Sequence, residues 1–461
     1  MRFVSSGFAV VKIACLCFWS IAEGAVPAAS QIIVDVSSEI CLEPIYIIPF
    51  QSAGARFSAQ YISELEKILT YDFTHDGSSY VVPQSSGRNT LAASIDKSLN
   101  RDAWRKEGVT NVIKVGVSGD LLSCQLHELR NNSIKSIEDM PLTGELSEDR
   151  KQIHLVANAL HKGLYGVEGV ATSKILYTLK HERGGKAFSD VWEADYDGAN
   201  AKKLSKPETG YAMTPFPLPA MSKSRSGGYF FVSYKAGIPK IYMSTFKDGI
   251  EKPFLKLQGS QIMPAISRQR NQIAFISDVS GNPDLFLQAF DMEKGLQGKP
   301  RQVFAHFNAT QGSPTFSPDG KSLAFVSNKD GTPRVYVMKI PGPEVKLKDV
   351  EVRLISRANR ESSAPSWSPD GSKLAYCARN GSVRQIWIYD FDTKSEWQLT
   401  QGAGNKENPS WAHNSMHLVY NTSDRGASEL YMIDIKNKRE MMIRDGSGVG
   451  EKGEKRFPAW Y

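Results

Sequence analysis

The sequence predicts a small α/β domain followed by an all-β, six-bladed propeller that its own C-terminal strand closes. Three observations carry this expectation. A unit of roughly 50 residues recurs through the C-terminal half, in the range of a propeller blade. The two ends of that half each hold a part of a blade that the other lacks, and residues 31–165 mix strand and helix periods without repeating.

The repeat is clearest at residues 313–338, SPTFSPDGKSLAFVSNKDGTPRVYVM. Pro314-Thr315-Phe316 opens a strand, and Ser317-Pro318-Asp319-Gly320 has the composition of a tight turn, Pro fixing φ and Gly supplying freedom. Residues 323–327 read as a buried strand, Lys329-Asp330-Gly331 as a second turn, and residues 334–338 as a third strand. Copies start at Pro365 and Pro409, and the third-strand aromatic (Tyr336, Trp387, Tyr431) falls 22 residues after each proline. Pro264 reaches Phe286 by the same count, and Pro219 reaches Tyr242 one residue later. Prolines 219, 264, 314, 365, 409 and 458 lie 45, 50, 51, 44 and 49 residues apart, a spacing that suits four-stranded blades. Residues 352–354 and 397–400 supply outer strands.

Residues 174–177 and 191–194 form a second and a third strand with no first strand before them. Phe457-Pro458-Ala459-Trp460 is a first strand with nothing after it. The ends complete one another, which makes six blades and leaves few open edges. After each proline a small residue (Ala220, Ala265, Thr315, Ser366, Ser410, Ala459) precedes a large one (Met221, Ile266, Phe316, Trp367, Trp411, Trp460). Opposite faces of each inner strand therefore meet different surroundings, the large residues being expected between blades.

The chain begins with Arg2, Lys12, an apolar run over residues 13–19 and Ala22-Glu23-Gly24, the pattern of a cleaved secretory leader over 1–24. Residues 25–165 form the α/β domain, with strands at 31–36, 44–50, 80–82 and 111–117. Helices are expected at 58–69, 102–107 and 149–164, and a hairpin at 121–129 and 133–137. The last helix carries Ile153, Val156, Ala157, Leu160 and Leu164 on one stripe. The propeller takes residues 170–461.

Composition bounds the function. A net charge of +7, about one unit of it from the leader, is spread along the chain, which argues for a solvated surface and against nucleic acid. Beyond the leader stand Cys41, Cys124 and Cys377; a Cys41–Cys124 bridge is permitted in an oxidising compartment, and Cys377 falls in a blade strand. The sequence has no G-x-S-x-G elbow, P-loop, C-x-x-C or H-E-x-x-H. His413 and His417 flank a turn and are expected at the surface. His154 and His161, roughly 10 Å apart along one helix, are expected to face solvent. Asp319 and Asp370 recur in turns and are structural. The expectation is a non-enzymatic protein without cofactor or metal.

The PxWSPDGxxLAFVS-type repeats at Pro314, Pro365 and Pro409, the ADYDGAN turn at 194–200, the early PIYIIPF strand and the terminal RFPAW resemble the TolB family, whose propeller repeats are WD40-like. The resemblance covers nearly all of the chain after the leader. It implies a periplasmic scaffold of the Tol–Pal system that serves outer-membrane integrity and cell division. It implies that Pal, the peptidoglycan-associated lipoprotein, binds at one mouth of the channel through residues just before the innermost strands. Here those are Ser260, Gln261, Thr310, Gln311, Glu361, Ser362, Glu407 and Asn408. TolA would bind the segment after the leader, about residues 25–35, with Ile32, Ile33, Val34 and Asp35 adding to a partner sheet or forming the domain's own first strand. A monomer is expected, held at the envelope through Pal. A propeller-gated peptidase or a propeller lyase is the alternative; the first needs a hydrolase domain and a nucleophile elbow, the second histidines clustered at the channel.

Overall fold

The structure is a computed structural model that describes residues 42–461 except 98, 207–209, 219–226, 425–426 and 445–452. Residues 41–461 form one compact unit. The leader, residues 25–41 and Cys41 therefore lie outside the described residues.

The α/β part contains β1 (Glu43–Ile47), α1 (Ala59–Thr74), β2 (Ser79–Val81), α2 (Ser86–Ala93), α3 (Arg101–Lys106), β3 (Asn111–Ser118), β4 (Leu121–Glu128), β5 (Ser133–Pro141) and α4 (Leu146–Tyr165). The sheet order is β2-β1-β3-β4-β5, parallel around β1 and antiparallel beyond β3. Ser58 caps α1 by accepting the Tyr61 N–H at 3.2 Å, and Gly166 ends α4 with φ 72°. One sheet face packs on α2 and α3 through Tyr46, Trp104 and Val112; the other packs on α1 and α4. Helix α2 escapes the sequence pattern because its eight residues, SGRNTLAA, bury only Ala92 and show no apolar period.

Six four-stranded sheets follow. The C-terminal strand Glu454–Trp460 pairs antiparallel with Lys174–Arg183 and is the innermost strand of the first blade, as the sequence predicts. Inner strands of the other blades run Ala212–Leu218, Gln261–Ile266, Gln311–Phe316, Ser362–Trp367 and Lys406–Trp411.

One element is corrected. The second blade's inner strand does not open at Pro219, which lies outside the described residues; it is Ala212–Leu218, and its repeat proline is Pro215. A constant spacing to the third-strand aromatic points to Pro219, but residues 219–227 separate the first two strands of this blade, a longer stretch than the 267–271 that separates them in the next.

Each inner strand carries a bulge at its proline. Two residues, such as Met263 and Pro264, stand against one on the next strand, so the missing proline N–H costs no ladder bond. The single residue opposite is a buried aromatic in every blade: Tyr177, Phe231, Phe275, Phe325, Tyr376 and Tyr420. Each of these pairs in turn with a third-strand aromatic, for example Phe275 with Phe286 at 5.8 Å between ring centres. Such a pair adds about 0.5–1.5 kcal/mol beyond its burial.

The large inner-strand residues fill the seams between blades, each packing toward the blade before it. Ile266, Phe316, Trp367 and Trp411 belong to four successive inter-blade clusters. Trp460 joins the seam between the sixth and first blades, where the core runs on into α1 and α4.

Candidate functional site

Among the described residues, one mouth of the propeller is free of the α/β part. Turns between first and second, and third and fourth, strands of blades one and six meet α1. His417 Nε2 lies 3.2 Å from the His75 carbonyl, Asn437 donates to Gly77 O at 3.0 Å, and Tyr196 donates to Asp72 Oδ1 at 2.5 Å. Strands alternate in direction, so the other two sets of turns lie at the opposite end. They form the rim of the second mouth.

That rim is built on strained backbone. The residue before each repeat proline has positive φ: Thr214 (49°), Met263 (53°), Ser313 (45°), Ala364 (49°), Asn408 (55°) and Phe457 (51°). None is glycine, and proline disfavours helical φ/ψ in the residue before it. Strain of about 1–3 kcal/mol at each such position persists where the surroundings over-determine the backbone. Here the bulge and its buried aromatic do so. The result is six inner strands turned the same way at one end of the channel.

The structure divides the eight rim residues named from the sequence. Gln261, Gln311 and Ser362 are buried ties between blades: their N–H groups donate to the carbonyls of Pro239, Pro283 and Pro333 at 2.9, 2.9 and 2.8 Å. They hold the ring together and leave little surface for a partner. Ser260 and Thr310 donate their N–H groups to Asp278 and Asn328, both at 2.7 Å, and the Thr310 side chain is exposed. Glu361 receives Arg379 and Arg384 at 2.8 and 2.9 Å, and Arg384 reaches on to Glu407 at 2.8 Å. Arg384, then Arg379, holds the Glu361 carboxyl below its ordinary range. Asn408 donates to Asn421 at 2.9 Å, and the same Asn421 oxygen accepts the Phe457 N–H, which joins blade six to blade one.

Sequence reasoning missed the apolar part of this rim. Tyr234, Ile238, Met263 and Val279 are each at least 36% exposed, and Phe307 is 84% exposed. They occupy the same end of blades two to four, so the rim is apolar on one side and charged at Glu361, Arg384 and Glu407. Phe307 was legible as an aromatic in a polar loop, His306-Phe307-Asn308. Ile32, Ile33, Val34 and Asp35 lie outside the described residues.

A second polar cluster lies where the α/β part meets the propeller, and it corrects the placement of three histidines. His154, His161 and His417 are each at most 2% exposed, not at the surface; His413 is exposed. All three sit where α4 and blade six meet α1, a contact between distant parts of the chain that no local pattern reports. His154 Nδ1 lies 2.9 Å from Asp72 Oδ2, and its Nε2 is 3.7 Å from Asp197. Burial works against charge on His154, yet Asp72 and then Asp197 hold its pKa above the ordinary value. Burial pushes His417 down to about 3 and His75 down to about 4.

Ligand atoms of His154, Asp195 and Asp197 lie within 4.8 Å of one another, close enough to hold a cation. Their carboxylates are already engaged: Arg150 pairs with Asp197, while Lys174 and Asn200 reach Asp195 at 2.8 and 2.6 Å. Protonated His154 faces Asp72, whose own pKa burial raises, while Arg150 faces Asp197 and Lys174 faces Asp195 together with Glu193. A cation there would compete with Arg150 and Lys174 for the same two carboxylates. Elsewhere, Ser205 Oγ and His181 Nε2 both bond Asp190, at 2.9 and 3.0 Å, so they are arranged around a carboxylate and not as nucleophile and base. Asp319 and Asp370 serve their turns, accepting Ser317 Oγ at 2.5 Å and Ser368 Oγ at 2.6 Å.

A family profile described as the TolB beta propeller domain, PD40, matches residues 161–461. The chain is 44% identical over 382 residues to a protein called "Protein TolB homolog" from Protochlamydia amoebophila, covering 82% of this chain and 81% of that one. A protein of the same description from Chlamydia caviae is 43% identical over 275 residues, 59% of this chain and 62% of its own length. Among solved structures, TolB from Acinetobacter baumannii matches with a TM-score of 0.71 at 20% identity, over 91% of this chain and 96% of that one; at that identity the likeness is one of fold.

Proposed function

The chain belongs to the TolB family, and from that premise we propose that it is a non-enzymatic periplasmic scaffold of a Tol–Pal system. The leader at 1–24 would be removed on export. The mature chain would bind Pal at the free mouth of the propeller and TolA through residues 25–35, linking the outer membrane to the inner one in envelope integrity and division.

The observation that supports this reading is the free mouth, with its strained bulges at one end of all six inner strands. A rigid ring with side chains preset around an opening gives a partner little to reorganise, which favours binding over chemistry. The surface members of the rim are Thr310, Glu361, Glu407 and Asn408, and Phe307 adds an exposed aromatic of the kind that anchors interfaces.

Calorimetric titration with the soluble domain of the Pal from the same cell tests the reading. Saturable one-to-one binding is expected, weakened about tenfold or more, or at least 1.4 kcal/mol, by Phe307→Ala and by the combined Thr310→Ala, Glu361→Ala and Glu407→Ala change. Binding that ignores these changes removes the mouth as the site. No binding between two folded proteins removes the scaffold reading.

A further inference from the structure

Between the outer strands of blades two and three lies a groove of about 870 Å³, on the flank of the propeller and apart from the rim residues discussed above. Its volume is in the range of sites that enclose a small ligand or a short peptide. Met243, Phe254 and Leu296 give it an apolar floor, and Ile250, half exposed, forms one lip.

The charged part of the lining is mostly cationic. Lys252, Lys256, Lys294 and Lys299 are exposed along it against one carboxylate, Asp248. Among the described residues no ion pair engages any of these four ammonium groups. Gln288 lies beneath this lining, fully buried, and donates from Nε2 to the carbonyls of Ala289 and Gln297 at 2.7 and 2.8 Å, which ties the third and outer strands of blade three together under the floor.

These features select among anions. A phosphate or a sugar acid satisfies the lysines but leaves the apolar floor uncovered. An extended peptide offers apolar side chains on one face and charged ones on the other. We propose that this groove binds an extended acidic peptide segment of a partner protein, apolar side chains on the floor and carboxylates on the four lysines. The proposal does not depend on what binds the mouth.

Fluorescence anisotropy of the purified chain with a short labelled peptide alternating Asp and Leu is the test. Saturable binding is expected. It should fall about tenfold with Lys252→Glu plus Lys299→Glu, surface changes that leave the fold intact, consistent with reversed charge at a contact. Leu296→Asn on the floor should weaken it further, and Phe307→Ala at the mouth should leave it unchanged. A peptide alternating Asp and Ser separates groove from charge. If it binds as well, the lysines act as a general anion surface and the proposal fails. Equal binding by the double Glu variant, or binding by phosphatidylglycerol vesicles and not by the peptide, also overturns it.

Discussion

His417 shows how far one residue's environment is set by distant chain. Locally it begins a strand after a turn, yet the His75 carbonyl and α1 close over it, and burial holds its pKa at about 3. The folded state keeps it neutral while the unfolded chain takes a proton below about pH 6.5. The lowered pKa therefore carries no penalty at neutral pH and removes stability as pH falls from there toward 3, by an amount on the order of 4 kcal/mol. His75 acts in the same direction. The His417→Gln variant should show a shallower loss of melting temperature between neutral and acid pH than the parent chain. Parallel acid limbs would show that other groups carry the transition. Nothing in the local sequence marks His417 as buried, because the groups that cover it lie far away in the chain.

At the scale of elements, the repeat is a sequence of pairings in which a bulge faces an aromatic. The prolines and third-strand aromatics were legible because their spacing is nearly constant. The second-strand aromatics and the positive φ before each proline were not, since they appear only once register is known. Closure is the element on which the ring depends. The Trp460 side chain, 5% exposed, donates from Nε1 to Ser173 Oγ at 2.6 Å and fills the seam between blades six and one. Trp460→Ala should cost about 3–5 kcal/mol, read as a lower denaturant midpoint at unchanged slope. Truncation after Arg456 removes Phe457, Pro458, Ala459 and Tyr461 as well, and should abolish the single cooperative transition. A truncated chain that unfolds like the parent would show that the ring does not need this strand.

Over the whole molecule, the α/β part and the propeller share one hydrophobic cluster from Ile45 to Trp460, and the charged latch at His154 lies in the same contact. His154 faces Asp72 from α1, Asp197 and Tyr196 from blade one, and Arg150 from its own helix. Its raised pKa means that the latch contributes fully below about pH 6.5 and is lost as pH rises through the higher folded value. His154→Gln should thus lower the melting temperature most at about pH 6 and least at alkaline pH, since breaking a buried pair costs about 3–5 kcal/mol only while it is charged. An equal loss at both ends would make His154 a packing residue. The sequence by itself determined the blade count, the closure and the α/β segment, because each rests on periodicity and chain order. Only the tertiary structure decided that Gln261, Gln311 and Ser362 are buried ties between blades, that Phe307 stands out on the rim, and that three histidines are buried. Those outcomes depend on which distant surfaces meet, and a linear pattern carries no record of that.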